Sequence, residues 1–339
     1  MLLSIVIPVY NEREVLPVLL ATLNKTLGRD LPYEIVFVDD GSRDGTSEAL
    51  RSAASEDPRV KVIFFSRNFG HQAAITAGLD FASGDAVAVM DADLQDPPEL
   101  LPRMLSLLED GYDVVSAQRV KREGETFFKR YTAKMFYRLM RKLVDERLQD
   151  EVGDFRLFSR RAVTAIRTLR EQHRFMRGMV AWLGLREVIV PYHRNARAAG
   201  ETKYSIMKML RFAWTAITSF SALPLRFSVF FGFFVAACGL GYALYSVIAE
   251  RVLKATVPGW TSLVCLNIVF SGVTLVAIGL VGEYVAHIYE EAKGRPLYVV
   301  SDSMNVNTVQ PHIAKAVILP SPSEYETPYE PTARKAPRV

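Results

Sequence analysis

A doubly wound, mainly parallel α/β sheet followed by a pair of membrane-crossing helices is the fold this sequence predicts. Three observations lead there. Over residues 1 to about 120, short β-branched runs alternate with helical stretches, the order of a parallel sheet with helices on both faces. The candidate strands run out into polar clusters. Further on, residues 228–249 and 261–282 contain no charged side chain, and each would span about 33 Å as a helix.

Taken in order, the candidate strands are 3–9, 34–38, 60–64, 86–90 and 113–117, with helical patterns between them, for example 14–26 and 46–54. Sheets of this kind bind ligands outside the carboxyl ends of their strands. There the first strand ends in Pro8-Val9-Tyr10-Asn11-Glu12 and the second in Asp39-Asp40-Gly41-Ser42. The third runs into Ser66-Arg67-Asn68-Phe69-Gly70-His71, the fourth into Asp91-Ala92-Asp93 and the fifth into Arg119. One such cluster would be a turn or a helix cap, and Asp44, Gly45 and Thr46 read as that. Five at one edge make a binding crevice.

The fourth cluster carries the most chemistry. Residues two apart in extended chain point the same way, so Asp91 and Asp93 can project together off a strand end. Carboxylates that close repel unless a cation sits between them. Hard oxygen ligands with open positions suit Mg²⁺ or Mn²⁺ held partly through a substrate diphosphate. For an isolated Asp-x-Asp, a strand ending in a polar turn is the alternative.

Other classes lack their signatures. The chain has 339 residues, half of them hydrophobic, and a net charge of +4, so nothing in the overall balance demands nucleic acid. No Gly-x-Gly-x-x-Gly follows the first strand and no Walker-type Gly-Lys-Ser/Thr occurs, which leaves a nucleotide held by acidic side chains and a metal. The one Gly-x-Gly, at Gly239 and Gly241, lies in an apolar segment and needs only a packing explanation. Cys238 and Cys265 also fall in apolar segments, so no disulfide framework or zinc cluster is expected. The apolar run 2–9 lacks a basic flank and a cleavage site, so it does not read as a signal peptide.

Together, Pro8-Val9-Tyr10-Asn11-Glu12, Val38-Asp39-Asp40-Gly41-Ser42 and Asp91-Ala92-Asp93-Leu94-Gln95-Asp96-Pro97-Pro98 resemble glycosyltransferase family 2. With Gly153-Asp154-Phe155-Arg156-Leu157, Gly200-Glu201-Thr202-Lys203-Tyr204 and the two apolar segments, the chain is similar over residues 1 to about 300 to the polyprenyl-phosphate glycosyltransferases, relatives of dolichol-phosphate mannose synthase. Within that group it is most similar to bacterial enzymes that load glucose or another sugar onto undecaprenyl phosphate. The resemblance implies a nucleotide-sugar transferase (GT-A) sheet. It assigns Pro8, Tyr10, Glu12, Asp39 and Asp91 to the donor nucleotide, and Asp91, Asp93 and Gln95 to the metal and diphosphate. It implies Asp93, Asp154 and Arg119 as catalytic residues, Asp154 being often cast as general base in the family. A phosphate monoester has its second pKa near 6, so such an acceptor arrives largely deprotonated, and Asp154 is then free to orient the acceptor or help hold the metal. Arg119, Arg197 and Lys203 are the candidates to gather an anionic acceptor beside an anionic donor, and 194–200 reads as a loop that closes over the site.

Organisation follows from charge and hydropathy. Residues 1–203 form the catalytic domain and 204–227 an interfacial amphipathic region, in which Phe212, Trp214 and Phe220 suit the headgroup depth. The basic, aromatic stretch 127–143 reads equally as an interfacial helix or a helix packed on the sheet. Residues 228–300 form a transmembrane hairpin with its juxtamembrane segment. Lys208, Arg211, Arg226, Lys293 and Arg295 flank its outer ends against Arg251 and Lys254 in the connector, which places the catalytic domain and C-terminus in the cytoplasm. The proline-rich tail 301–339 reads as disordered, so a cut near residue 300 is expected to change little. The expectation is an inverting, metal-dependent transferase of the inner membrane, moving one sugar from a nucleotide-sugar donor to a polyprenyl phosphate lipid. A second copy of the chain is a further candidate partner. Two rivals are a processive polysaccharide synthase, whose Gln-x-x-Arg-Trp motif is missing here, and a non-catalytic scaffold that binds a sugar nucleotide.

Overall fold

Leu3–Val9 (β1) and Tyr33–Asp39 (β2) are buried at every position, the mark of central strands covered on both faces. The computed structural model describes residues 1–28, 31–119, 152–192, 223–251, 259–306 and 316–318. Side chains alternate between two cores. Leu3, Ile5, Ile7 and Val9 of β1 with Tyr33, Ile35 and Phe37 of β2 enter one, and Val6, Val36 and Val38 enter the other, as the period of two requires.

Three helices cover the first face. Leu16–Leu27 (α1) buries Leu16, Leu19, Leu23 and Leu27, a helical stripe; its start two residues after the expected one follows from Pro17 in the first turn. Thr46–Glu56 (α2) adds Leu50 and Ala54, and Leu101–Glu109 (α4) adds Leu101, Met104 and Leu105. Three others cover the second face: His71–Phe81 (α3), Arg160–Thr168 (α5) and Met176–Leu183 (α6). The α3 helix lies so close to the sheet that a Cβ on Gly78 would stand 2.0 Å from Val6 Cγ1.

The remaining strands are Val60–Phe65 (β3), Ala86–Val89 (β4), Val114–Arg119 (β5), Val152–Ser159 (β6), Glu187–Tyr192 (β7), Tyr298–Met304 (β8) and Ala316–Ile318 (β9). Among the described residues the sheet has nine strands, in the order β7-β5-β6-β4-β1-β2-β3-β8-β9. Pairing is parallel from β4 through β1 and β2 to β3. The β6 strand enters antiparallel between β4 and β5, with Val89 opposite Arg156 and Ala88 opposite Leu157. Asp154 lies two residues from Arg156 on β6, near where the chain leaves β4. The β5 strand runs two residues beyond its expected end because β7 pairs with it as far as Arg119 and Tyr192.

The expectation that the chain is disordered from 301 onward is overturned for its first residues. After the apolar helices the chain returns and pairs β8 antiparallel to β3. Tyr298 is fully buried, stacks on Phe65 at 5.1 Å and donates its hydroxyl to Asp80 at 2.7 Å. Asp302 pairs with Arg51 at 2.6 Å, and the Asn305 amide donates to the carbonyls of Ala54 and Val60. A strand docked by side chains in this way is structural, and residues 307–315 and 319–339 lie outside the described residues.

Leu223–Arg251 (α7) and Gly259–Ala292 (α8) contain the apolar segments and are long and apolar enough to cross a membrane by length and composition. They pack on each other, and a Cβ on Gly239 would stand 2.7 Å from the Phe270 ring. Their outer surface leaves Phe230, Phe233 and Leu240 more than 70% exposed, unusual for side chains facing water.

Candidate active site

The loops after β1 and β2 are stitched together before any ligand is considered. Asn11 adopts a left-handed backbone (φ 58°), which asparagine tolerates. Its amide N–H donates to Ser42 Oγ at 2.9 Å and its Oδ1 accepts the Arg43 N–H at 2.8 Å. Asp44 accepts from the Thr46 N–H at 3.0 Å and from the Thr46 hydroxyl at 2.5 Å, so this cluster is the local turn expected of it. Tyr10 is left 46% exposed at the rim.

The two aspartates ending β2 have different surroundings. Asp39 is buried, and its oxygens accept from the Ser42 N–H at 3.0 Å and from the Ser47 hydroxyl. Asp40 accepts the Phe69 and Gly70 amides at 2.6 and 2.9 Å, tying β2 to the loop that opens α3. Burial pushes its carboxyl up, against those amides, with Asp39 adding to the rise. Between this turn and the loop after β3, Gly41 (φ 73°) comes so close to the Arg67–Asn68 backbone that a Cβ would meet it at 2.7 Å. No other residue type fits that conformation and that space.

A crevice opens at this edge, lined by Pro8, Tyr10, Glu12, Asp40, His71, Asp91 and Asp93 among others. It therefore brings together Pro8, Tyr10, Glu12, Asp91 and Asp93 of the sequence-derived site. Asp39 and Gln95 lie beneath the surface instead, 1% and 2% exposed. The period-two argument for Asp91 and Asp93 does not describe the actual backbone: β4 stops at Val89, and a turn follows. Asp93 accepts the Gln95 N–H at 3.2 Å and Leu94 takes φ 57°, a conformation that costs about 1 kcal/mol or more in a non-glycine residue. The doubled-back chain still delivers both carboxylates to the crevice.

Asp154, at the start of β6, sits across from Asp91 with His71 between them. His71 Nε2 is 3.7 Å from Asp91 Oδ1 and 3.4 Å from Asp154 Oδ2, and Arg177 Nε is 3.3 Å from Asp154 Oδ1. Burial would raise the Asp154 carboxyl, but the His71 hydrogen bond and the Arg177 and Arg156 charges hold it well below the usual carboxylate range. Asp91 goes the other way. Burial, reinforced by Asp96, Asp154 and Asp93 and opposed by His71, pushes it up to about 6. Two carboxyls on either side of His71, Asp91 on the crevice and Asp154 behind it, are thus driven apart by their neighbours.

Arg119 donates its Nε–H to Tyr192 Oη at 3.2 Å, and Tyr192 donates its hydroxyl to Asp96 at 2.5 Å. Asp96 Oδ2 is buried with no hydrogen-bond partner among the described residues. His71, Asp96, Arg177 and Tyr192 had no role in the sequence reading. Asp96 and His71 stood inside motifs already noted, whereas Arg177 and Tyr192 reach the site only through the pairing of β5, β6 and β7. Arg197, Lys203, the loop 194–200 and the stretches 127–143 and 204–222 lie outside the described residues.

Among the described residues no three His, Cys, Asp or Glu side chains converge as a complete metal cage. What is present is an excess of carboxylate, Asp91 and Asp93 on the crevice with Asp96 beneath, and one buried oxygen left unpaired. That donor set fits a hard divalent cation whose remaining positions are filled by phosphate oxygens and water.

Comparison with known proteins gives this geometry a setting. Residues 4–167 match the family described as glycosyl transferase family 2. The chain is 45% identical over 304 residues to an uncharacterised glycosyltransferase of Bacillus subtilis, covering 89% of this chain and 94% of the relative. It is 41% identical over 310 residues to a prophage-derived bactoprenol glucosyl transferase of Shigella flexneri, 91% of this chain and 100% of that one. A prophage bactoprenol glucosyl transferase homologue of Escherichia coli is 38% identical over 301 residues, 88% of this chain and 98% of that protein.

Proposed function

The chain belongs to glycosyltransferase family 2, and from that premise we propose that it transfers one glucose from UDP-glucose to a polyprenyl phosphate, undecaprenyl phosphate by default, with inversion and with Mg²⁺ or Mn²⁺. The observation that carries this reading is the single crevice where Asp91 and Asp93 meet Pro8, Tyr10 and Glu12, in a chain that also holds two apolar helices. The names of the Shigella and Escherichia relatives supply the sugar and the lipid class. On this reading the two helices anchor the enzyme in the inner membrane, with the catalytic domain and C-terminus in the cytoplasm, as the flanking basic residues favour.

In this proposal Pro8, Tyr10 and Glu12 receive the base and ribose, and Asp39 and Asp40 shape that wall from below. Asp91 and Asp93 hold the cation, with Gln95 and Asp96 supporting the turn that carries them. The cation, when bound, offsets charge on the departing diphosphate. An acceptor phosphate oxygen forms its bond to the anomeric carbon as the bond to the nucleotide diphosphate breaks, and the electron pair leaves with that diphosphate. Arg119 adds positive charge on the β5 side; Arg197 and Lys203 are the acceptor-phosphate candidates. Nothing in this sequence of events needs a strong protein base, and Asp154, held anionic by His71 and Arg177, is a weak one. Its task is orientation of the cations around it.

The functional test is direct. Purified enzyme in liposomes is given labelled UDP-glucose, GDP-mannose or UDP-N-acetylhexosamines with undecaprenyl phosphate, and the lipid is extracted. Label in the organic phase from UDP-glucose is the expected result; a labelled polymer points to a synthase, and no transfer from any donor to a scaffold.

Asp154→Asn separates the two roles of that residue. Expected is a fall of about ten- to a hundredfold with a pH profile like that of the wild type, turnover rising with pH through the acceptor's second ionisation near 6 and level above it. A variant that binds donor, acceptor and metal normally yet is inert at every pH would establish Asp154 as the base.

A further inference from the structure

The catalytic domain touches the end of the second apolar helix, and the segment that makes the contact also reaches Asp154, the partner of the crevice residue His71. At one end of this segment, the backbone N–H of Gln172 donates to Glu291 and its side-chain amide donates to the Arg295 carbonyl at 2.6 Å. His173 Nε2 lies 2.7 Å from Glu290 Oε2, a close approach without hydrogen-bond alignment, and its ring stacks on His287 with centroids 4.4 Å apart. At the other end, the Met176 N–H donates to Gln72 Oε1 at 3.1 Å, beside His71, and Arg177 reaches Asp154 at 3.3 Å. Three residues therefore separate His173, against the membrane helix, from Arg177, beside Asp154.

Length explains why such a contact is useful. At 34 residues, α8 is about 51 Å long, well beyond the ~30 Å hydrocarbon core. Its last turns, with Glu283, His287, Glu290 and Glu291, extend past the apolar part toward the layer where lipid phosphates lie. The covalent connection from α8 into β8 ties the sheet at its β3 edge. A body held along one edge remains free to tilt about it. A second contact, at Gln172 and His173, removes that freedom on the side of Asp154.

We propose that Gln172 and His173 are positioning residues: by holding Glu290 and Glu291 they keep the crevice, on the side where Asp154 and Arg177 back His71, at a fixed height and tilt over the bilayer, where a membrane-borne phosphate monoester reaches it. This rests on the lipid-acceptor reading above. The grip touches neither donor nor acceptor and leaves the Arg177–Asp154 contact to α6; it sets only where the site stands over the bilayer, so its effect falls on the acceptor that is itself fixed in the membrane.

The test uses the full chain in liposomes of neutral lipid with long-chain polyprenyl phosphate, and the same protein in detergent with a short, water-soluble prenyl phosphate. Gln172→Ala combined with His173→Ala, and separately Glu290→Gln combined with Glu291→Gln, are each expected to lower kcat/KM for the long lipid about tenfold, since small misplacements near a reacting pair have effects of this order or larger. KM for donor and turnover with the short acceptor stay within about twofold, by the same reasoning. Exchanging the partners, His173→Glu with Glu290→His, restores part of the loss. Amide exchange across 170–177 rises in the alanine variant while that of 3–9 does not. Equal loss with both acceptors, no loss with either, or unchanged exchange overturns the proposal. Failure of the lipid-acceptor reading shows separately, as wild-type enzyme that glucosylates neither prenyl phosphate.

Discussion

Asp91→Asn and Asp93→Asn are each expected to lower turnover at least about a hundredfold, the scale seen when a key electrostatic group is removed from a transition state, with no loss of fold. The two halves of that expectation have the same cause. Asp91 sits against Asp96, Asp154 and Asp93, and burial and those charges push its carboxyl up to about 6. An ionised group in such a place works against the folded state, so the neutral amide relieves repulsion. Melting temperature therefore holds or rises while activity collapses, the pattern of a functional group kept at a cost in stability. A chelator is expected to abolish transfer by the wild type, and Mg²⁺ or Mn²⁺ to restore it. Full turnover in chelator, or variants with wild-type rates, would remove the cation from the reaction. A variant that loses activity only because it melts early would do the same to the role given to these residues.

The parts of the site legible in the sequence are those in which one strand delivers its own chemistry. Pro8, Tyr10 and Glu12 follow β1 directly, and Asp91 and Asp93 follow β4, so placing the strands places the residues. Even there the local geometry differs from expectation, because the left-handed Leu94 turns Gln95 and Asp96 inward. The illegible parts depend on pairing. Nothing in the composition of 152–159 says that it inserts antiparallel between β4 and β5, yet that insertion brings Asp154 to His71, beside Asp91. Tyr192 and Arg177 come to the site on β7 and α6 only once that insertion is made. His71 was in view as the first residue after Gly70, but its two carboxylate neighbours lie 20 and 83 positions further along the chain.

The C-terminal strand is where the reading from sequence was most misleading, and where a second large effect is expected. Tyr-Val-Val-Ser-Asp-Ser-Met alternates weakly and follows a membrane helix, so it passes for the start of a tail. In the structure Tyr298 is fully buried and β8 covers the edge of β3. A chain ending at residue 296 loses that cover along with the hydrogen bond to Asp80. Removing a buried aromatic alone costs about 3–5 kcal/mol, set against a typical total of about 5–15 kcal/mol for a domain. The exposed β3 edge, Val-Lys-Val-Ile-Phe-Phe, would also be a template for pairing between molecules. Such a chain is expected to aggregate, whereas one ending at residue 306 keeps β8 and the Asn305 contacts and is expected to melt within a few degrees of the full chain. Tyr298→Phe isolates the hydroxyl. It keeps the stack on Phe65, leaves Asp80 paired with Arg170 at 2.7 Å, and is expected to cost about 1 kcal/mol. Thermal melting and gel filtration of the detergent-solubilised proteins separate these outcomes. If the chain ending at 296 melts with the full-length protein, β8 is not what closes the sheet, and the hairpin is attached to the catalytic domain by other contacts.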